Sequence, residues 1–478
     1  MWFSRKKIKS SPLFLYNSLS KNKEEFKPIH GSSVRMYTCG PTVYDYAHIG
    51  NLRAYIFSDI AKRVLQYRGF SVKHIINITD VGHLVHDSDD GEDKMSAGLL
   101  REGKELNLEN MYELGEKYTK SFIDDLKTLH VLMPFAYPRA SDNIQEQIAF
   151  ITSLKQKGYA YNTSDGVYFD TAKFKAYGAL GLPGVENDSA HSRLGAHAEK
   201  HDQRDFALWK FNKNLGWEAS WGKGFPGWHI ECTAMATKYL GKHFDIHTGG
   251  VDHIAIHHNN EIAQAEAVSN KRFANFWMHG EFITVEGKRI GKSEGNAIQL
   301  YQLKERGISP IAYRYLLLTT HYRSLMNFTW ESLQGAATAL QRAKRHFADL
   351  PVNGGKVLDV YREKFEKAVS DDLDTPKAVA VLWELLKDDS VLPRDKRATV
   401  LNFDQVLGLG FKDMPSEMRS VPVSVSGGVS EEVTKLLEER EKARNDKNWA
   451  RSDELRDILL GMGFSVEDTP DGVKVVKL

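Results

Sequence analysis

Cys39 and Cys232 are the only thiols in the chain, and each sits among groups that could act with it. Cys39 lies in Tyr37-Thr38-Cys39-Gly40-Pro41-Thr42-Val43-Tyr44-Asp45-Tyr46-Ala47-His48-Ile49-Gly50-Asn51, and Cys232 in Gly227-Trp228-His229-Ile230-Glu231-Cys232. A third run, His257-His258-Asn259-Asn260-Glu261, spaces His257 and Glu261 four apart, on one face of a helix. Thiolate, imidazole and carboxylate in a tetrahedral array suit zinc. Cysteines packed as small apolar residues are the commoner arrangement, but turn-forming and polar neighbours at the ends of expected strands favour a shared metal. His48 and Gly50 at an expected helix N-terminus suit a phosphate, because free amides face the anion and the imidazole can donate to it. An ordinary strand-to-helix connection is the alternative. The run Gly287-Lys288-Arg289-Ile290-Gly291-Lys292-Ser293-Glu294-Gly295-Asn296 suits a mobile loop closing on polyphosphate, although for a lone Gly-Lys-Ser a solvated charged loop is the commoner reading. A histidine turn near the start of a split nucleotide-type fold, followed by a lysine loop, is the rarer pairing and favours the phosphate reading.

The elements that must position these groups follow from periodicity. Val34 to Cys39 reads as a strand, Asn51 to Arg68 as a helix with Phe57, Ile60, Ala61, Val64 and Leu65 on one face, and Ser71 to Ile78 as a second strand. This βαβ unit implies a parallel sheet, whose ligands sit beyond the carboxyl ends of the strands. Phe244 to His247 reads as another strand, Gly249-Gly250 as a tight loop, His257 to Val268 as a helix, and Glu281 to Ile290 as a hairpin turning at Glu286-Gly287. The expected fold is α/β: a split Rossmann-like parallel-sheet domain with an insertion, then a helical bundle and a small α+β C-terminal module. The halves of the split domain are residues 1–137 and 227–308, with the insertion at 138–226. A helical region at 309–420 begins at Ser309 as cap and Pro310 as first helical residue. A linker at 421–429 precedes the terminal module, 430–478, with two helices and a hairpin turning at Pro470-Asp471-Gly472.

Composition bounds the rest. The chain has 478 residues, 41% hydrophobic and 27% charged, with net charge +1, as expected of a soluble multidomain protein. No apolar run is long enough to span a bilayer, and no stretch of signal-peptide length follows the basic start. Two cysteines cannot form a disulfide framework, so a reducing cytoplasm is expected.

The chain resembles the cysteinyl-tRNA synthetases, of the class I aminoacyl-tRNA synthetases. The resemblance runs through Leu15-Tyr16-Asn17-Ser18-Leu19, Cys39 to Asn51, Asn77-Ile78-Thr79-Asp80-Val81, Gly91-Glu92-Asp93-Lys94-Met95, Ala207-Leu208-Trp209-Lys210, Pro226 to Cys232, His257 to Gln264, Asp371-Asp372-Leu373-Asp374-Thr375-Pro376, and Asn448 to Asp457 with Glu467 to Pro470. It implies one zinc ion held by Cys39, Cys232, His257 and Glu261. It implies an amino-acid pocket formed with Cys39, Thr79, Trp228 and His229. ATP, with Mg²⁺, would meet Gly40, Thr42, His48, Asn51, Gly249, Gly250, Asp252 and Lys292, of which His48 and Lys292 would be catalytic. The implied partners are tRNA(Cys), cysteine and ATP, with no membrane and a monomeric state. The sequence departs from the family pattern in its lysine loop, where Arg289 and Gly291 replace lysine and serine. It departs again at Asn259, and at Val251-Asp252-His253, where His253 is a further candidate ligand or ATP contact.

The implied reaction joins cysteine to ATP as an adenylate and transfers it to tRNA, zinc selecting the thiolate over the harder serine hydroxyl. The terminal module would meet the anticodon, although 430–478 carries nine Lys or Arg against twelve Asp or Glu. Arg444, Lys447 and Arg451, with base stacking on Trp449, are its candidate contacts, although helix core is the commoner reading of Trp449. Two alternatives are a ligase joining activated cysteine to an amino sugar, and a zinc-stabilised RNA-binding relative without activation chemistry.

Overall fold

The computed structural model describes residues 12–81, 94–181, 198–291, 295–352, 354–412, 424–426, 431–446, 448–469 and 472–477. Four parallel strands form the central sheet in the order Ala274–Gly280, Phe244–Gly250, Ser33–Thr38, Ser71–Ile76. Their centres are buried on both faces, as a sheet covered on both sides requires. From Ser33–Thr38 the chain crosses through the helix Ile49–Tyr67 to its neighbour Ser71–Ile76. From Phe244–Gly250 it crosses through the helix His257–Ser269 to Ala274–Gly280, on the other side. Crossovers that leave the middle pair in opposite directions open a crevice at its carboxyl ends. Cys39 follows one of those ends, and His247 to Gly250 form the other.

Two apolar cores flank the sheet. One joins the helices Ile49–Tyr67 and Leu108–Thr128 to the helical region. The other joins the helices Ile144–Gln156, Trp228–Leu240 and His257–Ser269 to the insertion. The insertion carries an antiparallel sheet of Ala160–Asn162, Gly166–Phe169, Phe206–Phe211 and Gly224–Pro226. The helical region comprises Pro310–Leu318, Trp330–Ala348, Asp359–Ser370, Thr375–Lys387 and Pro393–Leu407. It is locked to the helix Ile49–Tyr67 by Asp59, whose carboxylate meets Arg63 at 2.8 Å and Arg314 at 2.6 Å, all three buried. The terminal module has helices Glu431–Asn445 and Trp449–Gly461 and a sheet in the order Ser424–Ser426, Gly472–Lys477, Phe464–Thr469.

Several expectations need correction. Gly249 and Gly250 are not a loop but the last residues of the strand from Phe244, because both pair with Ala274–Gly280. Cys232 is not at a strand end: it lies within the helix Trp228–Leu240. The region after Ser309 is not wholly helical, since Met326–Phe328 pairs in parallel with Ile283–Val285. Ser309 occupies the cap position without a side-chain cap bond. Ser424–Ser426, expected within a linker, pairs with Gly472–Lys477. Trp449 is 59% exposed rather than core, because it is the first residue of its helix, directly after the cap Asn448, and no preceding turn covers it.

Candidate metal centre and nucleotide site

Three elements deliver four donors to one point. Cys39 comes from the end of Ser33–Thr38, where its N–H donates to Thr248 O at 3.2 Å. Cys232 comes from the helix Trp228–Leu240, and His257 and Glu261 from the first turns of His257–Ser269. The donor atoms of Cys39, Cys232, His257 and Glu261 all lie within 4.8 Å of one another, and all four residues are buried. The sulfurs are 3.9 Å apart. A tetrahedral zinc with Zn–S near ~2.3 Å would space two sulfurs by about 3.8 Å, so donor chemistry and geometry both fit that ion. His257 Nε2 is 2.9 Å from Glu261 Oε1, while its Nδ1 meets His229 Nδ1 at 2.9 Å.

The electrostatics follow from burial and mutual contact. Burial pushes the Cys39 thiol well up, reinforced by Cys232. The hydrogen bond from Cys39 brings Cys232 down to about 6, against its burial. Burial opposes a charge on His257, but Glu261 and Cys232 overcome it and raise the imidazole to about 10. Burial would likewise raise Glu261; His247 and His257 instead hold it below the ordinary carboxylate range. His229 is kept neutral by burial and by His257. An imidazolium at His257 therefore donates both ways, to Glu261 and to His229.

A second set overlaps the first. His247 and His258 join Cys39 and Glu261 with donor atoms within the same 4.8 Å limit. His247 Nε2 lies 2.7 Å from Glu261 Oε2, and His258 Nε2 lies 3.3 Å from Cys39 Sγ. His258 Nδ1 continues to His279 at 2.7 Å, and His279 to Ser18 Oγ at 2.7 Å. Sequence reasoning missed these histidines. The available signals were the position of His247 near a strand end and of His258 three residues before Glu261.

The remaining expected residues fall around this centre. Trp228 packs its ring 4.3 Å from that of His257. Thr79 lies across the crevice, its N–H donating to Pro41 O at 3.0 Å and its carbonyl accepting Val43 N–H at 3.0 Å; Thr42 bridges it in parallel. Gly40 donates its N–H to Asn77 Oδ1 at 2.7 Å, and a Cβ there would lie 1.5 Å from Asn77 O, so only glycine fits. At Gly249 a Cβ would come within 2.6 Å of His253 Nδ1 and 2.7 Å of His258 Cε1, so glycine admits both rings. His253 stacks toward Trp228, His257 and His258, and Asp252 lies exposed beside it. Asn259, the departure from the family run, donates to Gly181 O at 2.8 Å and accepts Leu180 N–H at 3.1 Å. It fastens the insertion to the helix rather than entering the centre.

His48 caps the helix Ile49–Tyr67. Its Nδ1 accepts Asn51 N–H at 3.2 Å, and Asn51 Oδ1 accepts His48 N–H at 3.2 Å. With Nδ1 accepting, the ring proton sits on Nε2. The hairpin Ile283–Val285 with Lys288–Arg289 leads into the lysine loop, whose feet are tied by Asn296 to Gly291 N–H at 2.9 Å and Arg289 O at 3.0 Å. The loop returns to the histidine turn, where Ile49 N–H donates to Ile298 O at 2.8 Å. Lys292 itself lies outside the described residues.

Comparison with known proteins gives the family. Residues 25–338 match the family described as tRNA synthetases class I (C) catalytic domain, and residues 426–475 match the cysteinyl-tRNA ligase anticodon binding domain. The chain is 47% identical to cysteine–tRNA ligase 1 of Burkholderia lata, over 97% of each chain. It is 40% identical to cysteine–tRNA ligase of Thermus thermophilus, over 96% of this chain and 98% of that one. Mycobacterium tuberculosis methionyl-tRNA synthetase in complex with methionyl-adenylate superposes with TM-score 0.53 at 13% identity, covering 79% of this chain and 90% of that chain, which shows a shared fold. Among the described residues no helix is long and apolar enough to cross a membrane. With the catalytic and anticodon-binding families both matched in order, and relatives aligned end to end, the chain belongs to the cysteine–tRNA ligases, class I aminoacyl-tRNA synthetases.

Proposed function

We propose that Cys39, Cys232, His257 and Glu261 hold one zinc ion and that the chain activates cysteine with ATP as an adenylate before passing it to tRNA(Cys). The observation that carries this reading is the meeting of the only two cysteines with a histidine and a carboxylate at tetrahedral spacing. Zinc bound there would supply a soft Lewis acid that discriminates a thiolate from a hydroxyl. A pocket relying on shape alone separates near-isosteres by only about 10–200-fold, so this bonding makes a separate editing site unnecessary.

The chain's own groups carry the rest. Cys39, Thr79, Trp228 and His229 surround the amino acid, and Trp228 supplies an apolar wall that excludes water. Gly249, Gly250 and Asp252 receive the ribose and adenine. Gly40, Thr42 and Asn51 shape the phosphate site, Asn51 through its capping of His48. Carboxylate attack on the α-phosphorus needs positioning and charge neutralisation. His48 supplies an Nε2–H donor, its tautomer fixed by the cap, and Lys292 supplies positive charge from the loop, with Mg²⁺ on the phosphates. The insertion 138–226 receives the acceptor end, 309–420 the stem, and 430–478 the anticodon, where exposed Trp449 offers a stacking face. A reducing, cytoplasmic setting accords with the two free cysteines.

ATP–pyrophosphate exchange with cysteine and with serine, on zinc-loaded and chelated protein, tests the reading. Exchange should depend on cysteine and fall with chelation. Equal response to both amino acids would reject metal-based selection.

A further inference from the structure

Glu231 is wholly buried on the first turn of the helix Trp228–Leu240, next to Cys232 but outside the donor set. Its Oε2 accepts the Thr79 hydroxyl proton at 2.8 Å, and its Oε1 is buried with no hydrogen-bond partner. Burying a carboxyl group with an unmet oxygen is costly, so its retention here calls for a role. The direction of the hydrogen bonds supplies one. The Gly40 N–H can only donate, so the Asn77 amide must turn its Oδ1 toward it, at 2.7 Å. Asn77 Nδ2 then donates to Thr79 Oγ1 at 3.3 Å. Thr79 accepts from Asn77 and gives its proton to Glu231, which leaves the hydroxyl one lone pair and no donor. Asn77 Oδ1 is also 3.7 Å from Cys232 Sγ, so this polarised chain ends beside the metal-donor cluster.

An oxygen that can only accept selects a donor. Of the groups on cysteine, the thiolate is claimed by the metal and the carboxylate by ATP, which leaves the α-ammonium. We propose that Glu231 is a positioning residue for the amino acid: by taking the Thr79 proton it fixes that hydroxyl as an acceptor for the α-ammonium of bound cysteine. This rests on the reading that the amino acid binds at the cluster. The ammonium then adds affinity to what the thiol and carboxylate supply, so an analogue without it still competes, more weakly. Loss of Glu231 frees the Thr79 hydroxyl to turn its proton outward, against a cation.

The test compares cysteine with 3-mercaptopropionate, which keeps the thiol and carboxylate and lacks the ammonium, as a competitor in exchange by the zinc-loaded full chain. Glu231→Met should raise KM for cysteine about 10–100-fold, while the inhibition constant of 3-mercaptopropionate and the zinc content stay within about twofold of the parent. Glu231→Gln keeps a carbonyl acceptor for Thr79 and should recover most of the loss. Thr79→Val should reproduce the selective loss and Thr79→Ser should not, which decides the matter even if Glu231→Met does not fold. Parallel weakening of both compounds, or an unchanged KM for cysteine, would overturn the positioning role. Failure of 3-mercaptopropionate to compete with cysteine in the parent protein would instead overturn the pocket reading on which it rests.

Discussion

Two clusters of buried charge among the described residues, one around Asp59 and one around Glu261, are built differently. Asp59 faces Arg63 and Arg314 and takes Leu132 N–H at 2.8 Å. The guanidinium groups in turn reach Gln405 O at 2.9 Å and Leu407 O at 2.7 Å. Burial alone would raise this carboxylate, but the two arginines hold it low. Around Glu261, two thiols and a ring of imidazoles share their protons among themselves. The first cluster ties the helix Pro310–Leu318 to the helix Ile49–Tyr67; the second is the candidate metal centre.

Breaking each cluster should therefore have different consequences. Cys232→Ser should lower zinc from one ion per chain to a small fraction and cut cysteine-dependent exchange on the order of 10³-fold, as metal analysis and kinetics would read. Arg314→Met leaves Asp59 buried with one partner fewer and should destabilise the catalytic unit by about 3–5 kcal/mol. Its urea midpoint should fall while zinc content stays unchanged. Reversal of these two results would erase the distinction.

Protons sharpen the comparison further. Near neutral pH, Cys39 keeps its proton, since burial holds it up, and His257 carries one, at about 10. Ligands must shed protons to bind a metal. Zinc added to ion-free protein at pH 7 should release about two protons per ion, measured in weakly buffered solution, and zinc affinity should rise with pH.

The smallest effect concerns His74, which lies between the clusters. Its Nε2 meets Thr38 Oγ1 at 2.8 Å, and burial, aided by Lys62, lowers it to about 3. The unfolded imidazole binds a proton near its ordinary value, so the folded protein binds fewer protons between the two. Stability is intact above about pH 6.5 and falls as pH drops toward about 3. His74→Gln should flatten that acid limb of an unfolding-midpoint profile. An unchanged limb would show that other groups set it.

How much could be read from the chain follows from the same physics. His257 and Glu261 were legible because a four-residue interval fixes a helical face whatever surrounds it. The cysteines stood out by rarity, and the parallel sheet by strand–helix–strand alternation. His247 was not legible, since its meaning depends on Glu261 approaching from another element, and His258 was passed over because its contact with Cys39 comes from a distant strand end. Glu231 matters through Thr79, 152 positions away. Met326–Phe328 and Ser424–Ser426 are too short to show a period. Trp449 was misread because helical spacing says nothing of a residue at a helix's first position.

Zinc-edge X-ray absorption of the purified protein, before and after adding cysteine, tests the central claim most directly. The account predicts two sulfur and two nitrogen or oxygen neighbours at first, with Zn–S near ~2.3 Å, and one additional sulfur when cysteine is added but none with serine. A sulfur count indifferent to cysteine, or protein that retains no zinc, would contradict it.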